Sequence, residues 1–212
     1  MRNYLLGFAA CVAVASSPAS AAVVFSDNFD SYAPALNWNG SGVWSTANSV
    51  DLVANNTFGL TCAGGSGNCV DLTQSGITGS MTTLVNLAPG TYSLSFDYTG
   101  NQLGAQFAQA GFTVSVGALL NSVIGPLSNT NSVFTTYNGQ FTVVNGGQYA
   151  LNFTQNGGDL YRGSILDNVS ISSVSSALPE PTTWAMMIAG FGAVGLSLRR
   201  RGRNGAARIS FS

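Results

Sequence analysis

Seven consecutive residues set the character of this chain. From Tyr92 to Tyr98 apolar and polar side chains alternate without a break, with Tyr92, Leu94, Phe96 and Tyr98 set against Ser93, Ser95 and Asp97. Period two belongs to a strand with one buried face; a helix would return its apolar stripe every three to four residues. The pattern recurs in Phe112-Val114-Val116, in Phe141-Val143 and in Tyr149-Leu151-Phe153. Turn chemistry punctuates the runs at Ala88-Pro89-Gly90, Asn138-Gly139 and Asn145-Gly146-Gly147. No part of residues 22–178 shows a helical period. Short strands between frequent turns predict an all-β, antiparallel, jelly-roll-like β-sandwich over residues 22–173.

Both ends of the chain read differently. Met1-Arg2-Asn3 is a short basic opening, Tyr4–Ala15 is apolar, and Ala19-Ser20-Ala21 has the small-x-small form of a secretory cleavage site. Residues 1–21 therefore read as a signal peptide, with the cut between Ala21 and Ala22. Phe8-Ala9-Ala10-Cys11 is too short an apolar run before its cysteine to make a lipobox. After a small polar linker at 174–178 come Pro179-Glu180-Pro181, a chargeless run from Trp184 to Leu198, and Arg199-Arg200-Arg201. Proline cannot sit inside a helix, so a hydrophobic helix is expected over 184–198. At about 1.5 Å per residue it is shorter than a bilayer's ~30 Å hydrocarbon core. Trp184 stands where an interfacial aromatic belongs, and the arginines should stay cytoplasmic. The competing reading is a buried core helix, which Gly190, Gly192 and Gly195 disfavour. Residues 202–212 are expected to be a disordered tail.

Removing both ends changes the charge. The whole chain is near neutral, at −1. Residues 22–178 hold seven aspartates (Asp27, Asp30, Asp51, Asp71, Asp97, Asp159 and Asp167) against one base, Arg162, a net −6. With no lysine or histidine to neutralise phosphates, nucleic acid is excluded as a partner. Acyl-transfer chemistry of the serine–histidine type is excluded with it, and an aspartate pair would be the sole means of running a glycosidase. The body is expected to be non-catalytic.

Cys62 and Cys69 are the only body cysteines, separated by the flexible Ala-Gly-Gly-Ser-Gly-Asn. In an oxidising compartment they should form a disulfide; a zinc site is the rival, but two thiols without histidine are too few ligands. Two aspartates fall in apolar rows. Phe25, Asp27 and Phe29 share one parity, as do Ile165, Asp167, Val169 and Ile171. A carboxylate facing a core needs a cation or several donors. With one base available, a structural Ca²⁺ shared by Asp27 and Asp167 is an economical answer, and donors from backbone N–H groups are the alternative. For a sugar ligand the candidate stacking rings are Trp38 and Trp44, in the Gly/Asn/Ser-rich stretch 37–46, with Tyr137 and Tyr161 behind them; the competing reading makes both tryptophans core residues.

Two resemblances add to this. Pro179-Glu180-Pro181-Thr-Thr-Trp184-Ala-Met-Met-Ile188-Ala-Gly190-Phe191-Gly192, closed by Arg199–Arg201, closely resembles the PEP-CTERM sorting signal, a segment also known as an ice-binding-protein C-terminal domain. That second name does not transfer to the body, which has no regular Thr-x-Thr ladder. The resemblance covers residues 179–201. It implies processing near Pro-Glu-Pro by exosortase, a membrane transpeptidase, in a setting of exopolysaccharide production. The expected route is export through the inner membrane, a transient single-pass intermediate, and then the cell surface or the extracellular matrix. A weaker, pattern-level resemblance spans about 25–173. Asn28-Phe29-Asp30, Leu87-Ala-Pro-Gly90-Thr-Tyr92-Ser-Leu94-Ser-Phe96 and Leu166-Asp167-Asn168-Val169-Ser170-Ile171, in that order, look like jelly-roll carbohydrate-binding and galactose-binding-like modules. It implies a structural calcium near the first and last strands, with Asp27 and Asp167 as the best-matching positions. Together these point to a glycan- or exopolysaccharide-associated surface protein. The alternatives are a purely structural, self-associating biofilm protein and an aspartate glycosidase.

Overall fold

A computed structural model describes residues 21–104, 106–108, 111–128, 133–174 and 181–204. The signal-peptide residues 1–20 with Cys11, Pro179 and Glu180, linker positions 175–178 and the tail from 205 lie outside the described residues.

Among the described residues, fourteen strands run from Val23 to Ser173: β1 (Val23–Asp27), β2 (Ala35–Trp38), β3 (Trp44–Ala47), β4 (Val50–Ala54), β5 (Asn68–Asp71), β6 (Thr73–Gln74), β7 (Ile77–Thr78), β8 (Ser80–Leu87), β9 (Gly90–Thr99), β10 (Phe112–Val116), β11 (Leu120–Ile124), β12 (Thr135–Val143), β13 (Gly147–Gln155) and β14 (Ile165–Ser173). They form a two-sheet antiparallel sandwich. The larger sheet runs β12-β9-β14-β5-β4-β2, with β1 also on β14; the smaller runs β11-β10-β13-β8-β3; β6 and β7 make a separate hairpin. Since β9 follows β14 along most of its length, β5 and β1 must share its other edge end to end.

The core lies between the sheets, where Leu94, Phe96, Leu166, Val169 and Ile171 meet Met81, Val85, Val114, Leu151 and Phe153. Phe96 packs edge-on against Phe153 with ring centroids 5.1 Å apart. Each large side chain so buried contributes roughly 1.5–3 kcal/mol. A second, smaller cluster of Val53, Leu60, Cys62, Cys69 and Ile165 covers the outer face of the larger sheet. Its strand members Val53, Cys69 and Ile165 alternate with Leu52, Val70 and Leu166 of the main core, as a pleated strand requires.

Asn138-Gly139, expected as a turn, lies instead in the middle of β12, which pairs with β9 in unbroken register. The glycine serves packing here. The Tyr137 ring folds back over Gly139, and a Cβ there would collide with the tyrosine hydroxyl. The helix α1 (Pro181–Asn204) extends past the expected 184–198 at both ends. Pro181 suits a first helical position, and arginine is a good helix former, so nothing stops the helix at Leu198. Trp184, Ile188, Phe191, Val194 and Leu198 are all exposed along it. Among the described residues no helix is long and apolar enough to cross a membrane.

Candidate functional site

A cleft of about 690 Å³ opens beside β1. It is lined by Phe25, Ser26, Asp27 and Asn28 from β1 and its exit, by Ser31, Tyr32 and Val43, and by Asn168, Val169 and Ser170 of β14. The volume is that of a small-molecule site, and the lining combines two rings with hydroxyls and side-chain amides.

Asp27 forms one wall, and its environment explains its place in an apolar row. Its Oδ1 accepts the Phe29 amide at 2.8 Å; its Oδ2 accepts the Tyr32 hydroxyl at 2.7 Å and Trp44 Nε1 at 2.9 Å. A buried indole N–H needs an acceptor, and Asp27 is that acceptor. Burial, with the hydrogen bond and charge of Asp27 behind it, pushes the Tyr32 hydroxyl up to about 12.

Trp38 and Trp44, expected as stacking rings for a sugar, are core residues, 7% and 4% exposed. Trp44 packs against Phe25, Phe29 and Phe153, and Trp38 against Tyr32. Both side chains belong to the core between the sheets. Tyr137 is half-buried on Phe96, whereas Tyr161 is 63% exposed.

Asp167 does not share a face with Val169 and Ile171, as strict alternation predicts. β14 bulges between Asp167 and Ser170, with Asn168 at φ 52°. The extra residue flips the parity. Ile165 packs on the outer cluster, and Asp167 points the same way. Its Oδ2 accepts the Ala63 amide at 3.1 Å, and its Oδ1 that of Asn168 at 2.7 Å. Burial pushes its carboxyl up to about 7 against the pull of those two amides, and the charges of Asp30 and Asp97 add to the rise. Asp27 belongs to the core side through Trp44, so the two carboxylates lie on opposite faces of the larger sheet, each already met by protein donors. They do not fit a shared Ca²⁺ ion. Among the described residues no group of three or more His, Cys, Asp or Glu side chains is placed to hold a metal.

Cys62 and Cys69 are joined as a disulfide. It ties down the loop whose Ala63 and Asn68 amides hold Asp167 and Asp30. Asp71 was not singled out by the sequence reasoning, because its strand is short and shows no alternation. It is fully buried: its Oδ1 accepts the Thr73 amide, the Thr73 hydroxyl and the Gly163 amide at 2.8–2.9 Å. Burial still pushes it up to about 7, with Asp51, its direct cross-strand partner, adding repulsion. Neither Asp71 nor Asp167 lines the cleft, and among its described lining residues Asp27 is the one carboxylate, held by three donors. The cleft thus offers no pair of carboxylates for general acid–base work.

Residues 177–201 match the PEP-CTERM protein-sorting motif. The chain carries a PEP-CTERM sorting signal. The signal indicates export, and its arginine cluster lies within α1. No curated protein matches the chain in sequence. Among solved structures, the body of this PEP-CTERM chain is similar to the CBM22-1 xylan-binding domain of Xyn10C from Paenibacillus barcinonensis, at 14% identity and a TM-score of 0.47, over 74% of this chain and 98% of that one. It is similar to the C-terminal CBM6 of LamC, a laminarinase from Zobellia galactanivorans, at 14% identity and a TM-score of 0.43, over 70% and 98%. It is also similar to the K3 adhesin domain of Lys-gingipain from Porphyromonas gingivalis, at 18% identity and a TM-score of 0.43, over 73% and 100%.

Proposed function

We propose that this is an exported, non-catalytic surface or matrix protein that binds glycan in the cleft beside β1, lined by β1, its exit and β14. The observation that carries the reading is the lining itself. Ser26, Asn28, Ser31 and Ser170 offer hydroxyls and an amide beside the Phe25 and Tyr32 rings, and the single carboxylate is committed to holding the wall. That combination suits a neutral polyhydroxylated ligand and offers no base to an anionic one.

Exosortase processing near Pro179-Glu180-Pro181, after a transient membrane stage of α1, is the delivery step of this proposal; the sorting motif and the exposed apolar side chains of α1 support it. Cleavage at both ends leaves the sandwich intact. Ala22, the expected new N-terminus, is already fastened to β14: its amide donates to Ser173 Oγ at 3.0 Å and its carbonyl accepts the Ser173 amide at 2.8 Å.

The test is affinity electrophoresis of the chain through gels cast with exopolysaccharide from the producing cells, against dextran and xylan. Ser26 is exposed, so Ser26→Arg fills the cleft without entering the core. Retardation by exopolysaccharide that falls at least tenfold in this variant supports the proposal. Equal retardation of both forms in every gel rules the cleft out.

A further inference from the structure

Among the described residues the larger sheet ends at β12, with no strand paired to its outer edge. β12 is nine residues long and pairs on one side only, with β9, without a bulge. Natural edge strands are blunted by charge, proline, a bulge or brevity. Thr-Thr-Tyr-Asn-Gly-Gln-Phe-Thr-Val has none of these. The other sheet ends are shorter. β2 has four residues and a register break against β4, while β3 and β11, at the ends of the smaller sheet, have four and five.

We propose that β12 is a self-association edge, pairing antiparallel with β12 of a second copy about a two-fold axis at Gly139. Gly139 is the central residue of the strand. That register sets Thr136 against Thr142, Tyr137 against Phe141, Asn138 against Gln140, and Thr135 against Val143. Directly opposed residues share a face. The outer face then carries hydroxyl against hydroxyl and amide against amide, from side chains that are exposed in the single copy. The inner face sets ring against ring, continuing the stacks of Tyr137 on Phe96 and Phe141 on Tyr92. Such pairs are the stabilising unit of a sheet. At the axis two glycines meet.

Charge does not oppose pairing along β12 itself. Two bodies of net −6 repel, yet β12 brings no charge to the contact. Asp97, across from Thr136 in β9, is engaged there by the Thr136 hydroxyl at 2.6 Å. The contact is isologous and closes as a dimer. One strand pair buries less than the ~800 Å² per partner of a standard interface, so association depends on concentration.

Sedimentation equilibrium of the full-length chain in detergent tests this, with wild type beside Asn138→Lys/Gln140→Lys and Asn138→Lys/Gln140→Glu. Both positions are exposed, and circular dichroism checks the fold. Wild type should dimerise. The Lys/Lys form creates two symmetry-related like-charge pairs and should dissociate about tenfold more readily. The Lys/Glu form sets each new lysine against the other copy's new glutamate and should restore dimerisation. The same mass for all three forms overturns the proposal, whether all are monomers or all associate through α1. A Lys/Glu form as weak as Lys/Lys overturns the register at Gly139.

Discussion

Asp71→Asn should make this protein more stable at neutral pH, although it replaces a buried residue that accepts three hydrogen bonds. The Asp71 carboxyl sits near 7 in the fold, against an ordinary 3.8, because burial disfavours its charge more than its three donors favour it. The folded state therefore holds this proton where the unfolded chain has released it. Stability is fully present below about pH 4, falls as pH rises, and is lost above about pH 7. Between pH 5 and pH 8 the change is about two pH units' worth of one proton, roughly 2.7 kcal/mol at 1.36 kcal/mol per unit. Asparagine cannot titrate. Its carbonyl oxygen can still accept from Thr73 and Gly163, as Asp71 Oδ1 does. At pH 8 the variant should gain a few kcal/mol, or about 5–10 °C in melting temperature for a domain of this size. At pH 5 it should be close to wild type. The assay is thermal unfolding followed by circular dichroism at pH 5, 6, 7 and 8. A variant whose melting temperature falls with pH as steeply as wild type's, or that melts below wild type at pH 8, refutes the reasoning.

Four further outcomes follow from the same contacts. Asn168→Val puts a β-branched residue at φ 52° and removes the amide that donates to Asp97 at 2.8 Å, so chemical denaturation should show a loss of about 1–3 kcal/mol, with no loss counting against the bulge. Cys62→Ser/Cys69→Ser opens a seven-residue separation, which costs about 2.5 kcal/mol in the loop-entropy account, read as a lower urea midpoint. Trp44→Phe takes one of the three donors from Asp27 and should cost about 1–3 kcal/mol, read as a lower urea midpoint. EDTA should leave the melting temperature unchanged, because Asp27 and Asp167 are met by protein donors; a fall of several degrees would locate a structural cation after all.

The sandwich was legible wherever one face of a strand is buried and the other wet. β9, β10 and β13 announce themselves by period two, and their apolar rows are the buried rows. β8 hides its alternation behind Thr83, a threonine in a core position between Met81 and Val85. β4 and β5 bury apolar residues on both faces, since one face meets the main core and the other, beside Asp51 and Asp71, meets the cluster around the disulfide, so they carry no alternation to read. The site was half legible. The apolar rows flagged Asp27 and Asp167 correctly as carboxylates that need partners. Parity then misplaced Asp167, because one bulged residue inverts a period-two pattern and the Asn168 that makes the bulge reads like any other polar residue. The tryptophans misled for a related reason. Trp38 and Trp44 lie in a stretch rich in glycine, asparagine and serine, yet two short strands inside it, β2 and β3, turn the rings inward.

The scarcity of bases in the body has a structural answer that requires no ion. All seven aspartates accept a hydrogen bond, nearly all from neutral groups: the amides of Phe29, Asn37, Ala63, Asn68, Thr73, Tyr161, Gly163 and Asn168, and the side chains of Asn28, Tyr32, Trp44, Thr73, Thr136 and Asn168. The one base, Arg162, stays with Asp159 and the Phe107 ring. Four of these amides, those of Phe29, Ala63, Tyr161 and Gly163, lie in turns and loops; the other four sit at a strand start (Asn68, Thr73) or a register break (Asn37, Asn168), where the backbone is also free to aim its N–H groups at a carboxylate. The richness in Asn, Ser, Thr and Gly and the poverty in Lys are thus two sides of one arrangement, in which loops, strand ends and polar side chains supply the donors that cations would otherwise provide. All five strand-borne aspartates belong to the larger sheet, while no strand of the smaller one carries a charge. Repulsion is therefore concentrated on one side of the sandwich. There burial raises the carboxyls of Asp71 and Asp167 to about 7, so the larger sheet sheds part of its charge by holding protons near neutrality.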